Sequence, residues 1–153
     1  MMLRSLSLAL LLCVPPTSAR ACSCIERPPL VDASAMANEV ARFAAILDGI
    51  VLAVDTARHG VNATIVVQRH WKGALADTVV VHTSFDGGTC GLSFTVGTRY
   101  LIFASRESLG WYATICSPSV SWGSEAERRV QLLGRPRSYS TRLAVTSLSV
   151  TQP

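Results

Sequence analysis

The chain is short of charge. Only 16% of its 153 residues are Asp, Glu, Lys or Arg, against 49% hydrophobic. That balance excludes an intrinsically disordered protein, which has too little apolar surface to offset chain entropy. Basic residues form no run and no stripe with aromatic ones, so no nucleic-acid partner is expected. No apolar stretch reaches the roughly 20 residues of a membrane-crossing helix. No repeat and no boundary divides the chain, and its length suits one domain. Aromatic residues, at 7%, are enough for a modest core.

Catalytic signatures are missing too. His59, His70 and His82 are scattered, with no His-Glu-x-x-His pair for zinc. There is no Gly-x-Ser-x-Gly elbow. Gly87-Gly88-Thr89-Cys90-Gly91 is glycine-rich but lacks the lysine and the strand-to-helix setting of a phosphate loop. The acidic residues stand singly, with no obvious carboxylate pair. The expectation is a protein that is not an enzyme, has no cofactor and holds no metal of its own. Asn62-Ala63-Thr64 matches a glycosylation sequon, a short pattern with a high chance rate.

What is present begins with a leader. Arg4 supplies a positive start, and Leu6 to Val14 form an apolar segment interrupted only by Ser7. Pro15 and Pro16 break it, and Ala19-Arg20-Ala21 makes a small-x-small cleavage site. Residues 1–21 therefore read as a signal peptide cleaved after Ala21, giving a secreted or periplasmic protein that begins with Cys22. Two of the 14 basic residues, Arg4 and Arg20, leave with it, so the remaining charge is nearly balanced. A cysteine after a leader also marks bacterial lipoproteins. That signal prefers leucine where Ala19 stands and disfavours a bulky Arg20, so acylation of Cys22 is the minor alternative.

Of the five cysteines, Cys13 lies in the leader. Cys22, Cys24, Cys90 and Cys116 remain, an even number in an exported chain, and two disulfides are expected. A Cys22–Cys24 bond would close a very tight ring. Two patterns stay open: 22–90 with 24–116, or 22–116 with 24–90. Loop entropy makes each such long closure worth about 4–5 kcal/mol at most. Either pattern fastens a terminus that would otherwise fray. A structural zinc site is the rival, but Cys90 and Cys116 are isolated where zinc ligands usually come in pairs.

Apolar spacing predicts a helix from Ser34 to Leu47, through Met36, Val40, Phe43 and Ala44, with Ser34 as its cap. Asp48-Gly49 then ends the helix or begins a strand bend. Strands are expected over Ile50–Val54, Val61–Trp71, Asp77–Thr83, Arg99–Ser105 and Trp111–Cys116, with a hairpin turn at Arg58-His59-Gly60 and a loop over Phe85–Gly91. A second helix fits Gly123–Leu133, stopped by Gly134. The fold class is all-β with flanking helices, a five-stranded OB-like barrel over residues 22–134. Residues 135–153 form a Ser/Thr/Arg-rich tail in which Leu143, Val145, Leu148 and Val150 could make a weak edge strand.

The landmarks occur in a familiar order. Cys22-Ser23-Cys24 opens the mature chain, Leu47-Asp48-Gly49-Ile50-Val51 resembles a first barrel strand, and Trp71-Lys72-Gly73 follows a strand. Cys90-Gly91-Leu92-Ser93-Phe94 leads through Gly97 to Tyr100-Leu101-Ile102-Phe103-Ala104, and Cys116-Ser117 closes the set. Together they resemble the tissue inhibitor of metalloproteinases (TIMP) family in a short bacterial form of the netrin-like (NTR) domain. The likeness runs from Cys22 to about Ser117.

The resemblance implies an OB-like barrel with Cys22 paired to Cys90 and Cys24 to Cys116. The third disulfide and the cysteine-rich second subdomain of the animal inhibitors have no counterpart. It also implies a mechanism, in which Cys22 displaces water from the open position of a protease's catalytic zinc with its α-amino nitrogen and carbonyl oxygen. Ser23 would enter the specificity pocket, while Cys24, Ile25 and Thr89 would line the cleft. The implied partner is a secreted or periplasmic zinc metalloprotease. The alternative is a netrin-like binding module that docks a partner without touching zinc.

Overall fold

The computed structural model describes residues 22–85 and 87–139. Residues 1–21, the expected leader, and residues 140–153, including Leu143 to Val150, lie outside the described residues.

Helix α1 (Ala33–Arg42) leads into β1 (Ala45–Ala57), β2 (Gly60–Lys72) and β3 (Thr78–Thr83). A single 3-10 turn, Gly87–Thr89, precedes β4 (Arg99–Glu107) and β5 (Gly110–Tyr112). Then come β6 (Val120–Ser121), α2 (Ser124–Leu133) and β7 (Ser138–Tyr139). Five strands close a ring: β1 pairs with β2, β2 with β3, β3 with β5, β5 with β4, and β4 with β1. All these pairings are antiparallel except β3–β5. The described residues are thus mostly β, with two helices outside a closed five-strand ring.

The strands have two apolar faces, and each fills a different core. Leu47 and Val51 of β1, Ala63, Ile65 and Val67 of β2, Val79 and Val81 of β3, and Tyr100 and Ile102 of β4 meet in one cluster. Its members come from strands all round the ring, so this is the ring's interior. The alternate residues Ile46, Leu101 and Phe103 face outward and join Met36 of α1 and Ala126 of α2 in a second cluster. Two-sided burial explains why Arg99–Ala104 reads as a nearly continuous apolar run. The β1–β2 ladder slips at Ile46/Leu47, Asp48/Gly49 and Val51/Ala53. Such bulges bend a long strand so that it can follow a closed ring.

The structure corrects the first helix. It stops at Arg42, and its cap is Asp32, whose Oδ1 accepts from the Ala35 amide at 2.8 Å; Ser34 lies inside the helix. Phe43 is already extended, and Ala45, Ile46 and Leu47 pair with Ala104, Phe103 and Ile102 of β4. Their apolar spacing is compatible with a helix, but strand pairing satisfies their backbone and buries both faces. Asp48-Gly49 consequently lies inside β1. The strand expected over Trp111–Cys116 is also shorter, because the chain leaves the ring after Tyr112.

The sheet continues past Gly134, into the stretch expected to be a tail. The Gly134 carbonyl accepts from Trp71 Nε1 at 2.8 Å, and the Arg137 amide donates to the His70 carbonyl at 2.7 Å. Backbone pairing then joins His70 to Ser138 and Arg69 to Tyr139. A chain ending at Gly134 should therefore be less stable than one ending at Tyr139 by about 1–2 kcal/mol, the net worth of a few backbone hydrogen bonds. Urea denaturation of the two truncations measures the difference, and equal midpoints would show β7 to be passive.

On α2, Arg128 and Arg129 both reach Glu125. The hydrogen bond from Arg128 chiefly holds the Glu125 carboxyl below its ordinary value. The lowered pKa stabilises the fold at neutral pH, and that contribution fades as pH falls through the carboxylate range. Solvent screens the pair, so the effect is small.

Candidate functional site: the disulfide-anchored edge

The first described residues, from Cys22, form neither helix nor strand and are bolted to the body twice. Disulfides join Cys22 to Cys90 and Cys24 to Cys116, with Cα separations of 5.1 and 5.2 Å. The two receiving segments are themselves joined. Gly91 and Thr114 form an isolated antiparallel bridge, and the Ile115 amide donates to the Cys90 carbonyl at 3.1 Å.

Each segment is pinned to the ring. The Leu92 amide donates to Thr83 Oγ1 of β3 at 2.7 Å. Beyond Cys116, Ser117 Oγ donates to the Thr114 carbonyl and contacts Ser119 Oγ, both at 2.7 Å. Ser119 Oγ in turn accepts from the Phe103 amide of β4 at 2.8 Å. Cys90 follows the 3-10 turn with φ 67°, a left-handed conformation uncommon for a residue with a side chain.

These contacts leave a ridge of defined composition. Ser23, Cys24 and Thr89 are exposed, Cys22 is half-buried, and Ile25 is 85% exposed. Ile115, 44% exposed, stands beside Cys116. Next to the ridge lies a cleft of about 240 Å³ with Ile25, Pro28, Ile115 and Pro118 among its walls. Arg27 holds its floor by pairing with Glu39 of α1 at 2.9 Å, and Arg128 donates to the Leu30 carbonyl. The structure thus brings Cys22 and Cys24 against Cys90 and Cys116.

The ridge is not a resident metal site in this oxidised form. The sulfurs of Cys22, Cys24 and Cys116 lie within 4.8 Å of one another. All three are committed to disulfides, and zinc takes the thiolate form of cysteine.

Two features escaped the sequence reading. Asp48 is fully buried and holds two arginines. Arg69 donates through Nε at 2.7 Å, and Arg99 donates through Nε and Nη2 at 2.6 and 2.5 Å. Arg99 lies 3.5 Å over the Trp122 ring, and Arg69 is 5.4 Å from the ring of Trp71. Strand register makes this cluster, since Asp48 faces Arg69 across β1–β2 and Ile50 faces Arg99 across β1–β4. The only visible signal was a charge inside the apolar run Ile46 to Val51. The second feature is a cavity of about 520 Å³ between the β1–β2 and β4–β5 turns, lined by His59, His82, Leu109 and Tyr112 among others. There His82 Nδ1 donates to Asn62 Oδ1 at 2.5 Å.

No protein-family model matches the chain, and no curated protein matches it. Among the described residues, no helix is long and apolar enough to cross a membrane.

Proposed function

We propose that this chain is an exported, TIMP-like inhibitor of zinc metalloproteases, built on an OB-like barrel and acting by binding rather than turnover. The ring order β1-β2-β3-β5-β4 with its parallel β3–β5 closure supports the barrel assignment. One observation carries the functional reading: a segment, half-buried at Cys22 and exposed from Ser23 to Ile25, held by two disulfides on two mutually bonded loops. A ligand ordered before binding has little entropy left to lose on docking.

With the leader removed after Ala21, the α-amine and carbonyl oxygen of Cys22 chelate the protease zinc and displace its water. The amine binds in its neutral form. Its ordinary pKa of about 7.7–8.0 makes proton release part of the binding equilibrium. Ser23 enters the specificity pocket, and Cys24, Ile25 and Thr89 lie along the cleft. Acylation of Cys22 would use the sulfur that bonds Cys90, so the disulfide favours the unmodified terminus.

Retention of Ala21 provides the test. The extra residue converts the Cys22 amine into an amide nitrogen, a very poor metal ligand, and leaves the disulfides in place. Inhibition across a metalloprotease panel should collapse for the extended form while its melting curve is unchanged. Ser23→Gly should alter selectivity among enzymes and do less damage. Equal inhibition by the extended form, or none by correctly processed protein, would overturn chelation. The exposed Ile25 and Ile115 would then favour a netrin-like module that docks through this apolar ridge without zinc.

A further inference from the structure

We propose that the two disulfides form one thiol-exchange relay, entered at Cys24, in which an incoming thiol moves the terminal bond from Cys22–Cys90 to Cys22–Cys116. The inference is independent of protease inhibition and rests on where the sulfurs lie.

The two bonds are not separate staples. Cys22 Sγ and Cys116 Sγ, which belong to different disulfides, are 3.7 Å apart. Cys24 Sγ completes a triangle with them, all within 4.8 Å. A thiolate released at Cys116 therefore has the Cys22–Cys90 bond in contact, with no movement of a strand required. Access is unequal: Cys24 is exposed, whereas Cys22, Cys90 and Cys116 are half-buried. An external thiolate meets Cys24 first, and exchange rates depend on which sulfur can be reached.

The sequence of bonds follows. The external thiolate attacks Cys24 Sγ, forming a mixed disulfide there and expelling Cys116 as a thiolate. Cys116 attacks Cys22 Sγ, forming Cys22–Cys116 and expelling Cys90. With a monothiol, the reaction stops with one mixed disulfide at Cys24 and one thiol at Cys90, and there is no net change of oxidation state. With a dithiol, the second thiol attacks its partner sulfur and leaves as a cyclic disulfide. Two electrons and two protons then reside on the protein as the thiols of Cys24 and Cys90. The leaving residue also favours this direction, because Cys90 is the one non-glycine residue in a left-handed conformation among the described residues. Cutting its bond removes one tie that holds it there.

The test maps the half-reduced protein. Oxidised protein is treated with one equivalent of dithiothreitol, quenched in acid, alkylated and digested. The expected major product carries a Cys22–Cys116 crosslink and alkyl groups on Cys24 and Cys90. Glutathione in place of dithiothreitol should give the same crosslink, with glutathione on Cys24 and an alkyl group on Cys90. Retention of Cys22–Cys90 or Cys24–Cys116 as the main bond in the half-reduced protein would overturn the relay. So would glutathione placed on Cys90 or Cys116. As a second measurement, the Cys24→Ser, Cys90→Ser double variant should oxidise to a single Cys22–Cys116 bond with no free thiol. A folded double variant that keeps both thiols would also overturn the relay. If that variant does not fold, the wild-type map decides alone.

Discussion

Replacing Asp48 with Asn should cost about 3 kcal/mol of folding stability and lower the melting temperature by roughly 10 °C. The side chain is fully buried, and it is the shared acceptor of Arg69 and Arg99. Asparagine keeps the shape but removes the charge, leaving two guanidinium groups close together with no anion between them. Their side chains are 22% and 33% exposed, which lets water relieve part of the repulsion. The loss therefore falls at the lower end of what breaking a buried pair costs. A companion variant separates charge from packing. Asp48→Leu combined with Arg69→Met and Arg99→Met removes the whole network and should recover at least half of that loss. If the single variant melted within a degree of wild type, the cluster would have to be solvated and energetically idle.

A still larger effect, about 4 kcal/mol, is expected for Gly60→Ala. Gly60 opens β2 at φ +151°, a region that residues with a side chain rarely adopt. A Cβ there would also strike the Thr83 carbonyl oxygen of β3. Neither strand can retreat cheaply, because Val61 pairs with Thr83 in the ladder that closes this part of the ring. Gly97→Ala is the control. Its φ is +78°, but nothing lies within 4 Å of its Cβ position, so only the conformational cost of about 1–2 kcal/mol applies. Equilibrium unfolding of both variants checks the order, and equal losses would mean that the steric term at Gly60 had been relieved by a backbone shift.

Elements that bury one face with strict alternation were legible from residue order alone. Ala63, Ile65 and Val67 in β2 and Val79 and Val81 in β3 are the clearest, and α2 was bounded by its acidic first turn and Gly134. The cysteine count also pointed to a terminus fastened twice. Legibility failed where one residue pattern served two partners. Leu47 extends the apolar period of α1, and only its pairing with Ile102, far along the chain, makes it part of a strand. The apolar run around Asp48 is its one local sign of burial, because its stabilising partners arrive from two other strands. The parallel β3–β5 contact involves only Val81 with Trp111 and His82 with Tyr112, too short a stretch to carry a periodic signal. Of the candidate ridge, the cysteines were visible in the sequence. The exposure of Ile25 beside Ile115 was not, since it depends on a bond formed between Cys24 and Cys116.

The span of the disulfides bears on synthesis. Cys22 and Cys24 are the first of the four to leave the ribosome, and their partners follow 68 and 92 residues later. For most of translation the early pair has only itself or an external thiol to react with. The Cys24–Cys116 bond becomes possible only after all five ring strands have been made, since β5 ends at Tyr112. A chain interrupted between Cys90 and Cys116 holds three of these four cysteines, so one sulfur among them has no partner within the set. Oxidation of Cys24 by Cys116 therefore comes late, after every ring strand is present in the chain.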